Sequence, residues 1–262
     1  MLRFTANLSL LFTEVPLLER FQAAAEAGFK AVEIQFPYEL NIDQIQQQLQ
    51  RHHLKLVLFN VDADTLLQGG EGLAGVPEKQ AQFREAVGQA LEYARLLNPE
   101  VINVLPGRCI NNERLPEYLT TFKDNLRHAA NAFERIGVKT VFEAVNTVDM
   151  PGFMIHSGQQ MLDILTELKH PNLAMQYDLY HMHRMGEDCD EFLCEHLAQI
   201  GHIQFADCPG RGEPCTGQTD FDRLFDIIAQ SDYRGWTGAE YKPSGTTEDS
   251  LDWLRRYRLS AL

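Results

Sequence analysis

The sequence lacks the features that place a protein in or on a membrane. No apolar run approaches the roughly 18 residues that a membrane-spanning helix needs. The N-terminal stretch MLRFTANLSLLFTEVP is interrupted by Asn7, Ser9 and Glu14, and no small-residue cleavage site follows it. We therefore expect no membrane contact and a cytoplasmic location.

Positive charge is scarce. Lys and Arg together number 23 against 37 Asp and Glu, which gives a formal net charge of −14. The densest basic cluster is Arg255, Arg256 and Arg258. A chain this acidic repels a phosphate backbone unless its basic side chains are concentrated on one face. The composition therefore predicts that nucleic acid is not a partner.

Cysteine pairs and glycine-rich phosphate loops are also missing. The five cysteines are odd in number and form no CxxC motif, so we expect free, mostly buried thiols. Neither GxGxxG nor GxxxxGK occurs, and the turn NLSLLFTEV after the first predicted strand contains no glycine. A doubly wound nucleotide-binding sheet usually opens with a glycine-rich turn, so that fold is the less favoured alternative.

What the sequence does contain is a strict alternation of short β-rich runs and longer helical patterns. The predicted strands cover residues 3–8, 31–36, 55–60, 101–105, 140–144, 174–178, 202–206 and 237–241. The predicted helices cover 17–27, 43–52, 78–97, 116–136, 158–168, 190–199, 222–229 and 248–256. Eight such units predict an α/β protein with right-handed crossovers, a single (β/α)8 TIM-barrel domain over residues 1–262.

Polar residues lie near the ends of the last four predicted strands. These are Glu143, Asp178, Gln204 and Glu240, one for each strand. Chemistry in this fold is found where the strands end, and a buried carboxylate is costly unless it is paired or binds a metal. An oxygen-only ligand set with three negative charges favours Mg²⁺ or Mn²⁺ over zinc. The alternative is four separate polar residues, each hydrogen-bonded within the core.

Two loops add candidates for substrate binding. His181 and His183 form an HxH on the loop predicted after strand six, where His181 would contact substrate or a metal. Arg211 lies in the glycine- and proline-rich loop DCPGRGEPCTGQTD, where its guanidinium could clamp a substrate carboxylate or simply be solvated. The segment at 68–77 is a long loop that could act as a lid or form ordinary surface.

Several strings resemble one enzyme family across nearly the whole chain. They are RFTANLS, IQFPY, FEAVN, QYDLYHMHRM, HIQFADCPGRGEP and GAEYKP. Together they resemble the hydroxypyruvate isomerases of the xylose-isomerase-like barrel family. The 2-oxo-tetronate isomerases of the same subgroup share much of this pattern, and the LFTEVP and HLKLVLFN stretches look at least as much like them.

The resemblance implies roles for the candidate residues. Glu143, Asp178, Gln204 and Glu240 would bind a divalent ion, and Glu143 and Glu240 would form the acid/base pair. His181 and Arg211 match positions that hold substrate oxygens. Sugar 3-epimerases of the wider family carry histidine where this chain has Gln204, which argues against an epimerase.

The implied reaction interconverts hydroxypyruvate and tartronate semialdehyde through an enediolate. The substrate would be a small anionic oxo acid, and the protein a metal-dependent isomerase. An isomerase for 2-oxo-tetronate, or another sugar-acid isomerase or epimerase of the family, is the first alternative. A DNA-repair endonuclease would need a histidine-rich zinc cluster and a basic face, and a non-catalytic barrel would not need Glu143 and Glu240. The oligomeric state is left open, a homo-oligomer included.

Overall fold

Eight parallel strands close into a barrel in the computed structural model, which describes residues 2–259. Each strand pairs with the next along the chain, and the last pairs with the first. The strands are β1 (Phe4–Asn7), β2 (Ala31–Glu33), β3 (Lys55–Asn60), β4 (Val101–Val104), β5 (Lys139–Glu143), β6 (Leu173–Asp178), β7 (Ile200–Phe205) and β8 (Thr237–Ala239). This closed order confirms the predicted TIM barrel and makes the doubly wound alternative wrong.

Helices surround the barrel between the strands. They are α1 (Leu17–Glu26), α2 (Ile42–Arg51), α3 (Gln80–Leu97), α4 (Leu115–Glu134), α5 (Gly158–Leu168), α6 (Leu179–Arg184), α7 (Cys189–His196), α8 (Phe221–Gln230) and α9 (Asp252–Leu259). The apolar residues of α8 show why these segments are helical, since Phe221, Leu224, Phe225 and Ile228 share one buried face at helical spacing.

The short helix α6 corrects the sequence prediction, which placed His181 on a loop. The carboxylate of Asp178 caps this helix by accepting a hydrogen bond from the backbone N–H of Tyr180 at 2.8 Å. A helix of six residues is too short to show a periodic pattern. The strand end that carries Asp178 therefore leads directly into the helix that carries His181.

A cluster of aromatic side chains fixes α8 and α9 to the barrel. The ring of Phe205 lies edge-on to Phe4, Phe225 and Trp253, with ring centroids 5.1 to 6.1 Å apart. Such edge-to-face contacts stabilise packing beyond the buried area alone. Because these residues come from β1, β7, α8 and α9, the cluster ties α8 and α9 to the strands beside β8.

The segment at 68–77 packs against the protein along part of its length. Leu73, Ala74 and Val76 are buried. A Cβ atom at Gly75 would lie 2.9 Å from the backbone oxygen of Pro106, closer than Cβ atoms normally come, so glycine allows the two backbone segments to approach here. The part of the segment around residues 73–76 is thus a packed layer of the fold rather than an open surface loop.

The cysteine prediction is confirmed in one respect and wrong in another. All five thiols are free, but only Cys109 and Cys189 are buried, while Cys194 and Cys215 are exposed. Among the described residues, no helix is long and apolar enough to cross a membrane.

Candidate active site

The strands bring the predicted polar residues to one end of the barrel. Glu143 and Asp178 are the last residues of β5 and β6, and Gln204 is the last but one of β7. Glu240 follows β8 directly, and its backbone N–H donates to Phe205 at 3.0 Å. All four side chains are buried, with 1 to 5% of each residue exposed. Parallel strands must present their carboxyl ends at one face, so strand order alone gathers these residues.

Glu143 has two differently placed carboxylate oxygens. Its Oε2 accepts hydrogen bonds from Asn103 Nδ2 at 3.1 Å and from Gln176 Nε2 at 2.9 Å. Its Oε1 accepts none from a described residue, and His181 Nε2 lies 3.9 Å away. One oxygen is therefore held in place by amide donors, and the other is available to a ligand.

Asp178 and His181 stand beside that free oxygen. The Nε2 atom of His181 is 3.6 Å from Asp178 Oδ2. Ligand atoms of Glu143, Asp178 and His181 all lie within 4.8 Å of one another, close enough to surround one ion. Glu240 lies outside this group, which therefore joins two of the three predicted carboxylate ligands with a residue predicted to bind substrate.

Glu240 pairs with Arg211. Arg211 Nη2 donates to Glu240 Oε2 at 2.7 Å, while Asn7 Nδ2 and Gln35 Nε2 donate to Oε1 at 3.0 and 2.8 Å. The predicted clamp and the predicted acid/base residue are thus in direct contact. Arg211 is not the solvated loop residue of the alternative interpretation, because its guanidinium lies inside the site.

Gln204 is held between two other side chains. Its Nε2 donates to Glu33 Oε2 at 2.8 Å, and its Oε1 accepts from Gln176 Nε2 at 2.6 Å. Sequence reasoning missed Glu33, Gln176 and Asn103. Glu33 had a visible signal, since it is a carboxylate inside the apolar run AVEIQF, the same signal that singled out Glu143.

Burial and mutual repulsion shift the pKa values of the site. Burial, followed by the charges of Glu240 and Asp178, raises the pKa of Glu143 well above its ordinary value. Burial and Glu240 raise the pKa of Asp178 to about 7. Burial, with a smaller effect of Arg211, lowers the pKa of His181 well below its ordinary value. Such shifts are common where carboxylates converge in a cleft.

A small cavity opens onto these groups. Its volume is about 60 Å³, and it is bordered by polar groups from Gln35, Asn60, Glu143, Gln176, His181, Arg211 and Glu240. Leu66, Leu67, Met150 and Phe153 supply the apolar wall. The segment at 68–77, a lid or ordinary surface by its sequence, begins directly after Leu66 and Leu67, which border the cavity.

The donor set around the cavity fits a divalent cation. Asp178 Oδ2, Gln176 Oε1 and Asn103 Oδ1 are buried and accept no hydrogen bond from a described residue. All three atoms are acceptors, so they call for an electropositive partner. A cation would also offset the mutual repulsion that, after burial, raises the pKa values of Glu143 and Asp178.

The chain matches one family model over almost its whole length. The family described as xylose isomerase-like TIM barrel matches residues 21–257. The chain belongs to this family. The barrel order and the acidic site at its mouth agree with that membership, and the resemblance inferred from the sequence is confirmed.

Curated relatives of this family member are named as isomerases. Hydroxypyruvate isomerase of Escherichia coli strain K12 is 40% identical over 98% of this chain and 100% of that protein. 2-oxo-tetronate isomerase of Pectobacterium atrosepticum is 37% identical over 96% of each chain. These names confirm the predicted enzyme class, an isomerase, and leave two substrates to choose between.

Solved structures share the fold. A Brucella melitensis protein described as AP endonuclease, family 2, superposes with a TM-score of 0.94 at 37% identity, covering 98% of this chain and 99% of that one. The 3-keto-D-glucoside 4-epimerase YcjR of Escherichia coli superposes with a TM-score of 0.82 at 21% identity, covering 98% and 100%. At 21% identity the second likeness supports the barrel alone.

Proposed function

We propose that this protein is a metal-dependent aldose–ketose isomerase that interconverts hydroxypyruvate and tartronate semialdehyde. The observation that carries the proposal is the pair of buried carboxylates, Glu143 and Glu240, which border one small cavity together with Arg211. Two carboxylates supply the proton transfers, and a guanidinium supplies the charge that an anionic substrate needs. The 40% identity to a hydroxypyruvate isomerase supports the same substrate.

The reaction moves hydrogen between neighbouring carbons. One proton leaves carbon 3 of hydroxypyruvate and another is added to carbon 2, while the hydroxyl proton passes from the oxygen on carbon 3 to the oxygen on carbon 2. The intermediate is an enediolate, whose negative charge must be stabilised. Arg211 and His181 would donate hydrogen bonds to substrate oxygens, and their position at the border of the cavity supports this role.

The acid/base work falls to the two glutamates. Glu143 Oε1 has no hydrogen bond from a described residue, so it can reach a substrate proton, while Asn103 and Gln176 keep Oε2 in place. Glu240 is oriented by Asn7, Gln35 and Arg211. A group must lie within hydrogen-bond reach of the proton that it moves, and a substrate in the cavity that both carboxylates border would meet this condition.

Glu143, Asp178, Gln204 and Glu240 would hold the divalent ion, Mg²⁺ or Mn²⁺, with His181 beside them. When bound, the ion would supply Lewis-acid stabilisation of negative charge on substrate oxygens. Gln204 would join through Oε1, since Glu33 occupies its Nε2. The proposed ligands are hard oxygen donors, which suits these two ions.

A 2-oxo-tetronate isomerase is the second candidate, because a relative with that name is 37% identical over 96% of this chain. The two substrates differ by one carbon and share the oxo-acid end. Endonuclease chemistry is less favoured, since among the described residues the one group suited to a metal contains a single histidine.

The test compares turnover of hydroxypyruvate and 2-oxo-tetronate at equal metal concentration. We expect the higher kcat/KM with hydroxypyruvate, and Glu143→Gln and Glu240→Gln should each lower kcat by about 10²–10⁴. Glu113→Gln is the matched control, because Glu113 is exposed and lies outside the site. A preference for 2-oxo-tetronate would select the second candidate, and near-normal turnover in either glutamine variant would contradict the assignment of Glu143 and Glu240 as the acid/base pair.

A further inference from the structure

The side-chain amide of Asn146, just after β5, has a fixed orientation. Its Oδ1 accepts from the backbone N–H of Asp149 at 2.8 Å, and its Nδ2 donates to Asp149 Oδ2 at 3.0 Å. Exchanging the two amide atoms would place an NH₂ group against an N–H and an oxygen against a carboxylate. Both contacts would be repulsive, so Nδ2 must occupy its present position. Asn146 is fully buried, which makes that position hard to change.

That orientation points a donor at His181. Asn146 Nδ2 lies 2.6 Å from His181 Nδ1, and the backbone N–H of Asn146 approaches the same nitrogen at 3.4 Å. A ring nitrogen that faces two donors must act as an acceptor and so carries no hydrogen. The hydrogen of the neutral ring is then on Nε2.

We infer that Asn146 is a positioning residue that holds His181 in the Nε2–H tautomer, so that His181 donates a hydrogen bond into the site and does not bind a metal. The Nε2 atom lies 3.6 Å from Asp178 Oδ2 and 3.9 Å from Glu143 Oε1. A nitrogen that carries a hydrogen has no lone pair for an ion. The ligand that it suits is an anionic oxygen of the substrate seated between these carboxylates.

Two neighbours keep this arrangement in place. Tyr180 O–H donates to Asp149 Oδ2 at 2.6 Å, and the guanidinium of Arg184 lies 3.5 Å from Asp149 Oδ1. Asp149 therefore accepts from three side chains and anchors the amide of Asn146. Glu143, Asp178 and His181 lie as close together as the ligands of a metal ion. The contact of the Asn146 amide with His181 Nδ1 instead assigns His181 the role of a hydrogen-bond donor.

The tautomer can be read directly by histidine-selective ¹⁵N labelling and long-range ¹H–¹⁵N correlation on the full-length, metal-free protein. The His181→Gln variant identifies the signals of His181 by their loss. We expect an unprotonated Nδ1 and a protonated Nε2, unchanged when MgCl₂ is added. An unprotonated Nε2, protons on both nitrogens, or a change of Nε2 on adding the metal would overturn the inference.

Asn146→Ala tests whether Asn146 causes the preference. The variant should shift both ring nitrogens toward the averaged signals of mixed tautomers, and an unchanged Nε2–H tautomer would overturn the role of Asn146. Arg184→Gln is the matched control, because it removes only the outer contact of Asp149 and should leave the ring unchanged. If the variant does not fold, Asn146→Ser offers a smaller change with the same readout.

The consequence for turnover rests on the proposed function. Loss of one hydrogen bond to a charged substrate oxygen costs about 10–100-fold, so Asn146→Ala should lower kcat with hydroxypyruvate by up to that factor. Failure of the tautomer inference is distinguishable from failure of the proposed function, because the tautomer is measured without substrate. A mixed tautomer with unchanged kcat would show that the Nε2–H is not used in the reaction, and a protein inactive on hydroxypyruvate would still report the tautomer.

Discussion

The guanidinium of Arg211 is placed by its own backbone and by its neighbours. The residue has φ of 58°, in the left-handed region that favours glycine. Backbone hydrogen bonds to Asp207 and from Lys242, at 2.8 and 2.7 Å, hold it there. The side chain then lies 5.3 Å over the ring of Tyr180 and reaches Glu240. A strained backbone that is held this firmly directs the side chain into the cavity.

Arg211→Gln should raise the KM for an oxo-acid substrate by about 10–100-fold, because a hydrogen bond to a charged group contributes about 1.5–3 kcal/mol. Arg211→Lys should recover part of the affinity, since it keeps the charge but loses the fork of two donors. Steady-state kinetics with each variant measures the change in KM. Arg234→Gln, at an exposed arginine, is the control, and an unchanged KM in Arg211→Gln would contradict the clamp.

The strands contribute buried polar side chains to the barrel interior as well as to its mouth. Glu33, in β2, is fully buried and accepts hydrogen bonds from His202 Nε2 at 2.8 Å, Gln204 Nε2 at 2.8 Å and Thr5 Oγ1 at 3.3 Å. The chain of contacts continues from Gln204 through Gln176 to Glu143. One carboxylate on β2 therefore orients the Gln204 and Gln176 amides, on β7 and β6, that lead to Glu143.

Glu33→Leu should lower the free energy of unfolding by about 3 kcal/mol, because it leaves several buried donors without an acceptor. Urea denaturation monitored by circular dichroism measures the change. Glu39→Leu makes the same substitution at an exposed position and should change stability by less than about 0.5 kcal/mol. A loss for Glu33→Leu no larger than that of the control would mean that the donors find other partners.

The sequence predicted the strands well because parallel strands buried on both faces are short apolar runs. Two of them end more than one residue earlier than predicted, β2 at Glu33 and β8 at Ala239. In β2 the pairing with β3 changes register between Val32 and Glu33, a local irregularity that no hydrophobic pattern reveals. The order of the strands followed from their alternation with helices.

The sequence predicted the strand-end residues of the site but not the side chains that hydrogen-bond to them. Glu143 and Glu240 stood out as carboxylates at strand ends. The contact of Glu33 with His202 joins residues 169 positions apart, and it crosses the barrel interior. Such contacts depend on barrel closure, which a local pattern does not describe. The pairing of Arg211 with Glu240 was hidden for the same reason.

Over the whole molecule acidic residues outnumber basic ones, and the same excess of negative charge is found in the site. The formal net charge is −14, and three of the acidic residues, Glu143, Asp178 and Glu240, converge at the barrel mouth. Arg211 is the cation that faces all three, and its pKa reflects this. Burial lowers the pKa of Arg211, but Glu240, Asp178 and Glu143 raise it by more. One arginine offsets only part of three negative charges, so the remaining negative charge favours binding of a divalent ion.

The raised pKa values of the carboxylates in the site predict how metal and pH affect the free energy of unfolding. The folded-state pKa of Asp178 is about 7, above the ordinary 3.8. The folded, metal-free protein therefore binds this proton more tightly than the unfolded chain does. The resulting stabilisation is complete below the unfolded pKa and is lost as the pH rises through about 7. Glu143, whose pKa is also raised, acts in the same direction.

We therefore expect chelator-treated protein to lose roughly 1–3 kcal/mol of unfolding free energy between pH 5 and pH 8, relative to Asp178→Asn. Asparagine keeps an oxygen that can cap α6, but its side chain does not titrate. The difference between the two proteins therefore measures the effect of the Asp178 carboxylate. Mg²⁺ or Mn²⁺ must displace the proton to bind, so the rise in Tm on adding metal should be larger at pH 8 than at pH 5. Thermal unfolding at both pH values, with and without metal, measures both effects. An equal rise in Tm at the two pH values would mean that the ion binds elsewhere, away from the carboxylates whose repulsion it is expected to relieve.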